Sequence, residues 1–254
     1  MQKEEQLIEK RFLELSRLAY QREIITYTDF LNLNELDILH TLPKADIYAR
    51  YVTFGGYTEA ERRMAAFIPD ALYLREESPV HPFTVLRITP LHEKYAQALT
   101  HRDYLGAILN LGINRSKMGD ILIMEDKAYF FAHSSLSEFL TEELIKIRHT
   151  TVLTQEVDLA TFSFTPQYQE IKGTVASVRL DSLLSLAFST SRNRLTGLIE
   201  GGKVFVNGRL ITSNGYKVKE EDIISVRGLG KFQYKGVITA TKKNRLMVSI
   251  YKYI

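Results

Sequence analysis

Between Arg179 and Asn207 the chain reads RLDSLLSLAFSTSRNRLTGLIEGGKVFVN, and Arg179, Arg192, Arg194 and Lys203 recur among its apolar residues. Cations of this kind, kept wet beside a buried stripe, can reach the phosphates of a nucleic acid. Asp181 is an acid in a basic setting. Near a helix N-terminus it is favourable with the backbone dipole, and it can orient an arginine.

The elements that must position these groups are two short helices and a strand. Leu180, Leu183, Leu184 and Ala187 recur at spacings of three and four, which predicts a helix from Arg179 to Phe188 with one buried face. Thr190 or Ser191 can cap a second helix, whose stripe is Leu195, Leu198 and Ile199. At about 100° per residue, Arg192 and Arg194 flank that stripe on opposite sides. Gly201 and Gly202 stop the helix. Val204 and Val206 alternate with Phe205 in a strand that Asn207-Gly208 turns. Taken alone, the arginines are equally compatible with an ordinary solvated helical pair.

Arg179-Leu180-Asp181, then Ser191-Arg192, Leu195, Ile199, Gly202, Val204 and Val206-Asn207, resembles the S4 RNA-binding module. That module is shared by a small-subunit ribosomal protein, pseudouridine synthases, tyrosyl-tRNA synthetases and a heat-shock ribosome-binding protein. The resemblance implies RNA bound on the two-helix face, with Arg179, Asp181, Ser191, Arg192, Arg194, Lys203 and Asn207 as site residues.

Composition agrees. The 254 residues carry a net charge of only +3, yet from Ile171 to Ile254 there are 15 Lys+Arg against 5 Asp+Glu, and the remainder holds 18 against 25. A basic tail on an acidic body points to a polyanion partner for the tail. After Asp222 no acid occurs, while Arg227, Lys231, Lys235, Lys242, Lys243, Arg245 and Lys252 follow. Arg227-Gly228-Leu229-Gly230-Lys231 is a loop whose glycines would let backbone approach a phosphate; a plain hairpin turn explains it equally well. Thr241-Lys242-Lys243-Asn244 is a second basic turn. Tyr251 and Tyr253 could stack on bases, or simply belong to a C-terminal edge strand. There is no cysteine, so thiolate metal sites and disulfides are excluded. No run approaches the roughly 18 apolar residues of a membrane span, and the charged start MQKEEQLIEKRF is unlike a signal peptide.

Along the rest of the chain, helices are predicted at Lys3–Tyr20, near Thr28–His40 with Thr28 or Asp29 as cap, and from Thr58 to Phe67; Ile47–Thr53 is a strand leading into Phe54-Gly55-Gly56-Tyr57. Next come a strand at Phe83–Ile88, helices at His92–Leu99 and Tyr104–Leu111, and a hairpin of Asp120–Met124 and Ala128–Ala132 around Glu125-Asp126-Lys127. A helix at Leu136–Ile147 and a strand at Thr150–Val157 complete a β-α-β-β-α-β succession, a ferredoxin-like layout shared with RNA-recognition motifs. Tyr129 and Phe131 fall on the strand that stacks bases in such motifs, but the basic-glycine-aromatic start is missing, and core is the commoner role. The chain is therefore expected to be α+β: an N-terminal α+β region at 1–75, a ferredoxin-type (RNA-recognition-like) domain at 76–165, a linker at 166–177 and an S4 domain at 178–254. The linker expectation rests on the weak apolar pattern of Thr161–Gly173.

Enzymatic chemistry finds little purchase. His101-Arg102-Asp103 has the composition of a protein-kinase catalytic loop, but Ile108 stands where asparagine is required. Gly201-Gly202-Lys203 lacks the remainder of a phosphate-binding loop, since Val204 follows. The six histidines show no metal spacing.

The first two-thirds are similar to YlmH-type proteins, bacterial S4-domain proteins encoded near cell-division genes. The similarity rests on Phe54-Gly55-Gly56-Tyr57 with Glu59-Ala60-Glu61-Arg62-Arg63, on His101-Arg102-Asp103-Tyr104-Leu105-Gly106-Ala107-Ile108-Leu109, on Leu111-Gly112-Ile113-Asn114-Arg115 and on Gly119-Asp120. Arg227–Lys231 and Thr241-Lys242-Lys243 fit the same family, which adds Arg227, Lys231, Lys242 and Lys243 to the RNA-binding candidates, with Arg102 and Arg115 as further contacts or structural turn residues. The resemblance implies a non-enzymatic cytoplasmic monomer without cofactor or metal. Its partners would be rRNA or tRNA on the large ribosomal subunit blocked by peptidyl-tRNA, in ribosome-associated quality control. An RNA-modifying enzyme that uses S4 for targeting, and a cell-division interaction factor, are the alternatives.

Overall fold

The computed structural model describes residues 2–74, 79–92, 98–124, 127–241 and 245–254. They form two units, Met1–Phe164 and Thr165–Ile254. The expected segment His92–Leu99 falls largely outside the described residues, as do the hairpin turn at Glu125-Asp126, and Lys242, Lys243 and Asn244. Among the described residues no helix is long and apolar enough to cross a membrane.

The first unit begins with α1 (Gln2–Arg22), whose Phe12, Leu15 and Ala19 are buried. They pack on Leu36 and Leu39 of α2 (Leu33–Thr41) and on Ala65 and Phe67 of β3 (Met64–Ile68). β3 lies between β1 (Thr26–Tyr27) and β2 (Arg50–Phe54). Two expectations fail here. The helix expected over Thr58–Phe67 is replaced by β3, because Met64–Ile68 is a run buried on both faces, which periodicity alone cannot tell from buried helix. The cap of α2 is Asn32, not Thr28 or Asp29. Its Oδ1 accepts from the amides of Asn34 and Glu35, and the Glu35 carboxylate accepts from the Asn32 amide. Thr28 instead accepts from the Ala65 amide at 2.9 Å.

After α3 (Asp70–Tyr73) come β4 (Phe83–Pro90), α4 (His101–Asn110), β5 (Met118–Met124), β6 (Lys127–His133), α5 (Ser137–Glu143), β7 (Lys146–Ile147) and β8 (Thr150–Val157). The sheet order is β5-β6-β4-β8-β7, so the ferredoxin-like β-α-β-β-α-β arrangement is present. α4 and α5 cover one sheet face with Tyr104, Ile108 and Leu140. α5 ends earlier than its apolar pattern suggested, and Lys146–Ile147 pairs with β8. The other sheet face is covered from the N-terminal region: Phe30 and Met64 share a core with Phe83, Val85 and Phe131. The stretches 1–75 and 76–165 are thus fused through one apolar cluster within a single unit.

The motif residues make that joint. Tyr57 donates to Asp120 Oδ2 at 2.8 Å, and the amides of Glu61 and Arg62 donate to the same carboxylate. Arg62 donates to the carbonyls of Met118, Phe30 and Arg115 at 2.6, 3.0 and 2.9 Å. Burial, with the Arg115 charge beside it, lowers the Arg62 guanidinium to about 10. Burial and the Asp120 carboxylate hold the Tyr57 phenol far above its ordinary range. Gly56 has φ +98°, and a Cβ there would lie 2.1 Å from Phe131 Cε1. A Cβ on Gly119 would meet Phe131 and Phe30 below 3 Å.

In the second unit a six-stranded sheet runs β11-β10-β12-β13-β14-β9. Its strands are β9 (Tyr168–Val175), β10 (Val204–Val206), β11 (Arg209–Leu210), β12 (Ile223–Val226), β13 (Gly230–Ala240) and β14 (Leu246–Tyr253). The stretch expected as a linker, 166–177, holds β9, paired with β14 from Tyr168 to Val175. Its low apolar content reflects one face on the core and one open to water. Two helices, α6 (Leu180–Phe188) and α7 (Arg192–Glu200), lie on the sheet. Leu180, Leu183, Leu184, Ala187, Leu195 and Ile199 are buried against Val204, Val206, Phe232, Val248 and Ile250. Gly202, at φ +67°, follows the end of α7, and Asn207-Gly208, at φ +50° and +79°, turns β10 into β11. The Asn207 amide nitrogen donates to Asp222 Oδ1 at 2.7 Å, and its Oδ1 accepts from the Ile223 amide at 2.9 Å. Asp222 is 7% exposed and also accepts from the Lys219 amide.

Two substitutions test these joints. Gly56→Ala should destabilise the first unit by about 3 kcal/mol, because the clash with Phe131 adds to a positive φ; a lowered urea midpoint is the readout. Asn207→Ala should cost about 2 kcal/mol by leaving the Asp222 carboxylate short of a donor. Hydrogen exchange at the Val206 and Ile224 amides should then quicken by about 30-fold.

Candidate nucleic-acid interface

The candidate cations of the second unit hang on elements fixed by the leucine stripe. Arg179 is the residue before α6, and its backbone bridges to Lys217. Its Nε and a terminal guanidinium nitrogen donate to the two carboxylate oxygens of Asp181, each at 3.2 Å. The arginine side chain is 47% exposed and the aspartate 19%. Asp181 Oδ1 also accepts from the Ser182 amide at 2.9 Å, so the acid is tied to the first turn of α6 and presents the guanidinium at its edge.

α6 ends at Ser189, whose φ of +47° reverses the chain into α7. Ser191 occupies the N-cap of α7 with extended backbone, but its side chain makes no capping bond; its carbonyl accepts from the Leu195 amide. Ser191 is exposed. Arg192 opens α7, with its side chain outside the description, and Arg194 is exposed one position before the buried Leu195. Lys203 is exposed just past the end of α7. Its carbonyl accepts from the Arg227 amide at 2.9 Å, so these two basic residues are neighbours across the β10–β12 ladder.

Arg227 lies with its Cζ 5.3 Å from the centre of the Phe205 ring, and Lys231 with its Nζ 4.7 Å from that of Tyr253. Between them Gly228 and Gly230 have φ of +83° and +108°. The loop is a tight turn from β12 to β13 that the glycines make possible. Asn207 is exposed at the turn, and both ends of its amide are engaged, one by Asp222 and one by the Ile223 amide. Lys242 and Lys243 lie outside the described residues, while the Arg245 that follows donates to the Thr174 carbonyl at 2.7 Å.

In the first unit the sheet face that would stack bases is closed. Phe131 is 0% exposed, its ring 5.7 Å from Tyr57 and 5.3 Å from Phe162, and Tyr129 lies 5.2 Å from Phe162. Asp103 is a capping residue, accepting from the Thr100 amide and hydroxyl at 2.8 and 2.7 Å and facing Arg148 at 3.4 Å. Those Thr100 bonds, with Arg148 nearby, hold its carboxyl below the usual range. Arg102 is exposed on the first turn of α4, and the Arg115 carbonyl serves Arg62. Arg62 itself was passed over as a functional candidate; its anchoring role appears only once Met118, Phe30 and Arg115 converge on it. Among the described residues no group of three or more His, Asp or Glu could hold a metal.

Residues 84–161 match the family described as "Putative RNA-binding domain in YlmH", and residues 178–224 match the S4 domain. The "Ribosome-associated protein quality control protein P2" of Bacillus subtilis (strain 168) is 27% identical over 252 residues, 97% of this chain and 95% of that protein. The solved "Cell division protein ylmH from Streptococcus pneumoniae" aligns with 62% of this chain and 93% of its own, at 22% identity and a TM-score of 0.49, too slight a likeness to bear on function. The chain thus carries a YlmH-type putative RNA-binding domain ahead of an S4 domain, and exposed cations stand on and beside the two helices of the latter.

Proposed function

We propose that this protein binds ribosomal RNA or tRNA through the two-helix face of its S4 domain, on large ribosomal subunits that carry peptidyl-tRNA, as a non-enzymatic cytoplasmic factor in ribosome-associated quality control. The observation that carries the reading is the S4 helix pair itself: a leucine stripe buried on the sheet with Arg179, Arg194 and Lys203 exposed beside it. The Bacillus subtilis relative bears a name that points the same way, Ribosome-associated protein quality control protein P2. Binding would be by phosphate contact and shape. Arg179, Arg192, Arg194 and Lys203 are the principal contacts, Ser191 lies at the α7 N-terminus, and Arg227 and Lys231 extend the basic rim together with Lys242 and Lys243. Asp181 acts through Arg179. The protein works as a monomer, with no membrane and no cofactor.

The double variant Arg192→Ala, Arg194→Ala should fold normally yet lose co-sedimentation with large subunits. Each neutralised phosphate contact should also remove about 0.7–0.9 from the slope of log affinity against log salt. Retained co-sedimentation would argue against the helix face. Equal binding to vacant subunits and to subunits carrying peptidyl-tRNA would sink the quality-control assignment while leaving RNA binding intact.

A further inference from the structure

The segment between β11 and β12 closes against the start of α6, and it brings to the helix face a cation that spacing along the helices does not reveal. Arg179 and Lys217 are partners in an antiparallel bridge. The Leu180 amide, one residue after Arg179, donates at 2.9 Å to the carbonyl of Tyr216, one residue before Lys217. Arg179 and Lys217 are therefore a non-hydrogen-bonded pair, the kind whose side chains stand closer. Their neighbours Val178 and Val218 pack on the core of the unit. Side chains alternate along extended backbone, so Arg179 and Lys217 both point away from that core, on the same side. Both residues are exposed.

The segment that carries Lys217 is anchored at both helices. The Asn214 carbonyl accepts from the Asp181 amide at 3.4 Å, and the Asn214 side chain donates at 2.9 Å to Oε1 of Glu200, the last residue of α7. Gly215 lies beside the Arg179 guanidinium: a Cβ there would stand 4.0 Å from Arg179 Cζ and Nη2. Asp181 engages one edge of the same guanidinium through Nε and Nη2. Two of the five N–H donors of the arginine are thus used and the others stay available.

Like charges directly opposite one another across two strands are destabilising. Asp181 offsets only one of the two cations. Its carboxylate is turned to Arg179, the Glu200 carboxylate receives Asn214, and among the described residues no acid pairs with Lys217. The corner therefore holds one positive charge in excess. A lone surface lysine is ordinary. A lysine set against an arginine that the fold already orients is a pair, and two cations with spare donors on one side of the backbone match a single phosphate group.

We propose that Arg179 and Lys217 together seat one phosphate of the bound RNA. The seat rests on the RNA-binding reading above, and it adds to that site Lys217, a residue carried by neither helix. A phosphate between the two cations relieves the opposition that the unbound fold bears, so folding and binding make opposite demands on Lys217.

The test uses the full chain and large ribosomal subunits carrying peptidyl-tRNA, with affinity followed through a salt series. Lys217→Ala should bind about 10-fold more weakly, as the loss of a charge-assisted contact requires. Its slope of log affinity against log salt should fall by about 0.7–0.9, the share of one phosphate. Its urea midpoint should be unchanged or raised, because the opposed charge is gone. Lys217→Arg should keep both affinity and slope. Since one phosphate is shared, the double variant Arg179→Ala, Lys217→Ala should lose little more than the weaker-binding single variant, whereas separate phosphates would make the losses add. Unchanged affinity and slope in Lys217→Ala would overturn the proposal, and so would additive losses in the double variant. A lowered urea midpoint accompanying lost binding would overturn it too, by making Lys217 a structural residue. If Lys217→Ala binds as the wild type does while the Arg192→Ala, Arg194→Ala variant does not, the seat falls and the helix face stands; a wild type that ignores the subunits removes both.

Discussion

The second unit depends on one constraint: α6 and α7 can stay on the sheet only by burying a continuous leucine stripe. Leu180, Leu183, Leu184, Leu195 and Ile199 are fully buried, and at about 25 cal/mol per Å² each such side chain contributes roughly 1.5–3 kcal/mol. The ion pairs Lys172–Glu170, Arg179–Asp181 and Lys235–Glu221 offer no comparable gain, since exposed ion pairs contribute about 0–1 kcal/mol. With the stripe fixed, helical periodicity decides the rest. Residues one step from a buried leucine must face its flank, and Arg194 before Leu195 is such a residue. The cationic character of the face is thus a geometric consequence of apolar packing, and the face can be presented to RNA without any charge being buried.

The first unit answers to a different constraint. A ferredoxin-like sheet has two faces, but its two helices cover only one. In RNA-recognition motifs the other face stacks bases. Here Phe30, Met64 and Tyr57 close it, and the polar residues at the joint are satisfied within the protein. Asp120 gathers three donors and Arg62 supplies three carbonyls, so each would leave buried groups without partners if it were lost. The glycines beside them are small because aromatic rings occupy the space a Cβ would need. Residues that look like a catalytic or ligand-binding signature in the chain are accounted for by the packing of one segment onto another.

This explains what the sequence made legible. The S4 helices, the Gly202 stop and the Asn207-Gly208 turn were readable because each depends on residues close in the chain. The ferredoxin-like order was readable for the same reason. β3 was not, since Met64–Ile68 is buried on both faces and carries no alternation. β9 was not, because its pairing with β14 joins residues about eighty positions apart, and nothing local in Tyr168–Val175 announces it. The site shows the same division. Arg179, Arg194 and Lys203 emerge on the surface as their spacing requires, whereas the bond that holds the exposed Asn207 comes from Asp222, a partner fifteen residues away.

Asp181 bears on how such an interface gains specificity. An acid beside a cationic face lowers its attraction for any polyanion, so on charge alone its presence is unfavourable. Its stabilising effect through Arg179 is small, since the pair is solvent-exposed. What the pair does change is freedom. An unpaired arginine samples many rotamers and loses them on binding, at roughly 0.5–1.5 kcal/mol for such a side chain. Held by two hydrogen bonds and tied to the α6 backbone through Ser182, the Arg179 guanidinium has a defined plane and direction before RNA arrives. Under the RNA-binding reading proposed above, some non-specific attraction is exchanged for preorganisation, which would favour a folded RNA whose phosphates already stand in the matching arrangement over an arbitrary strand.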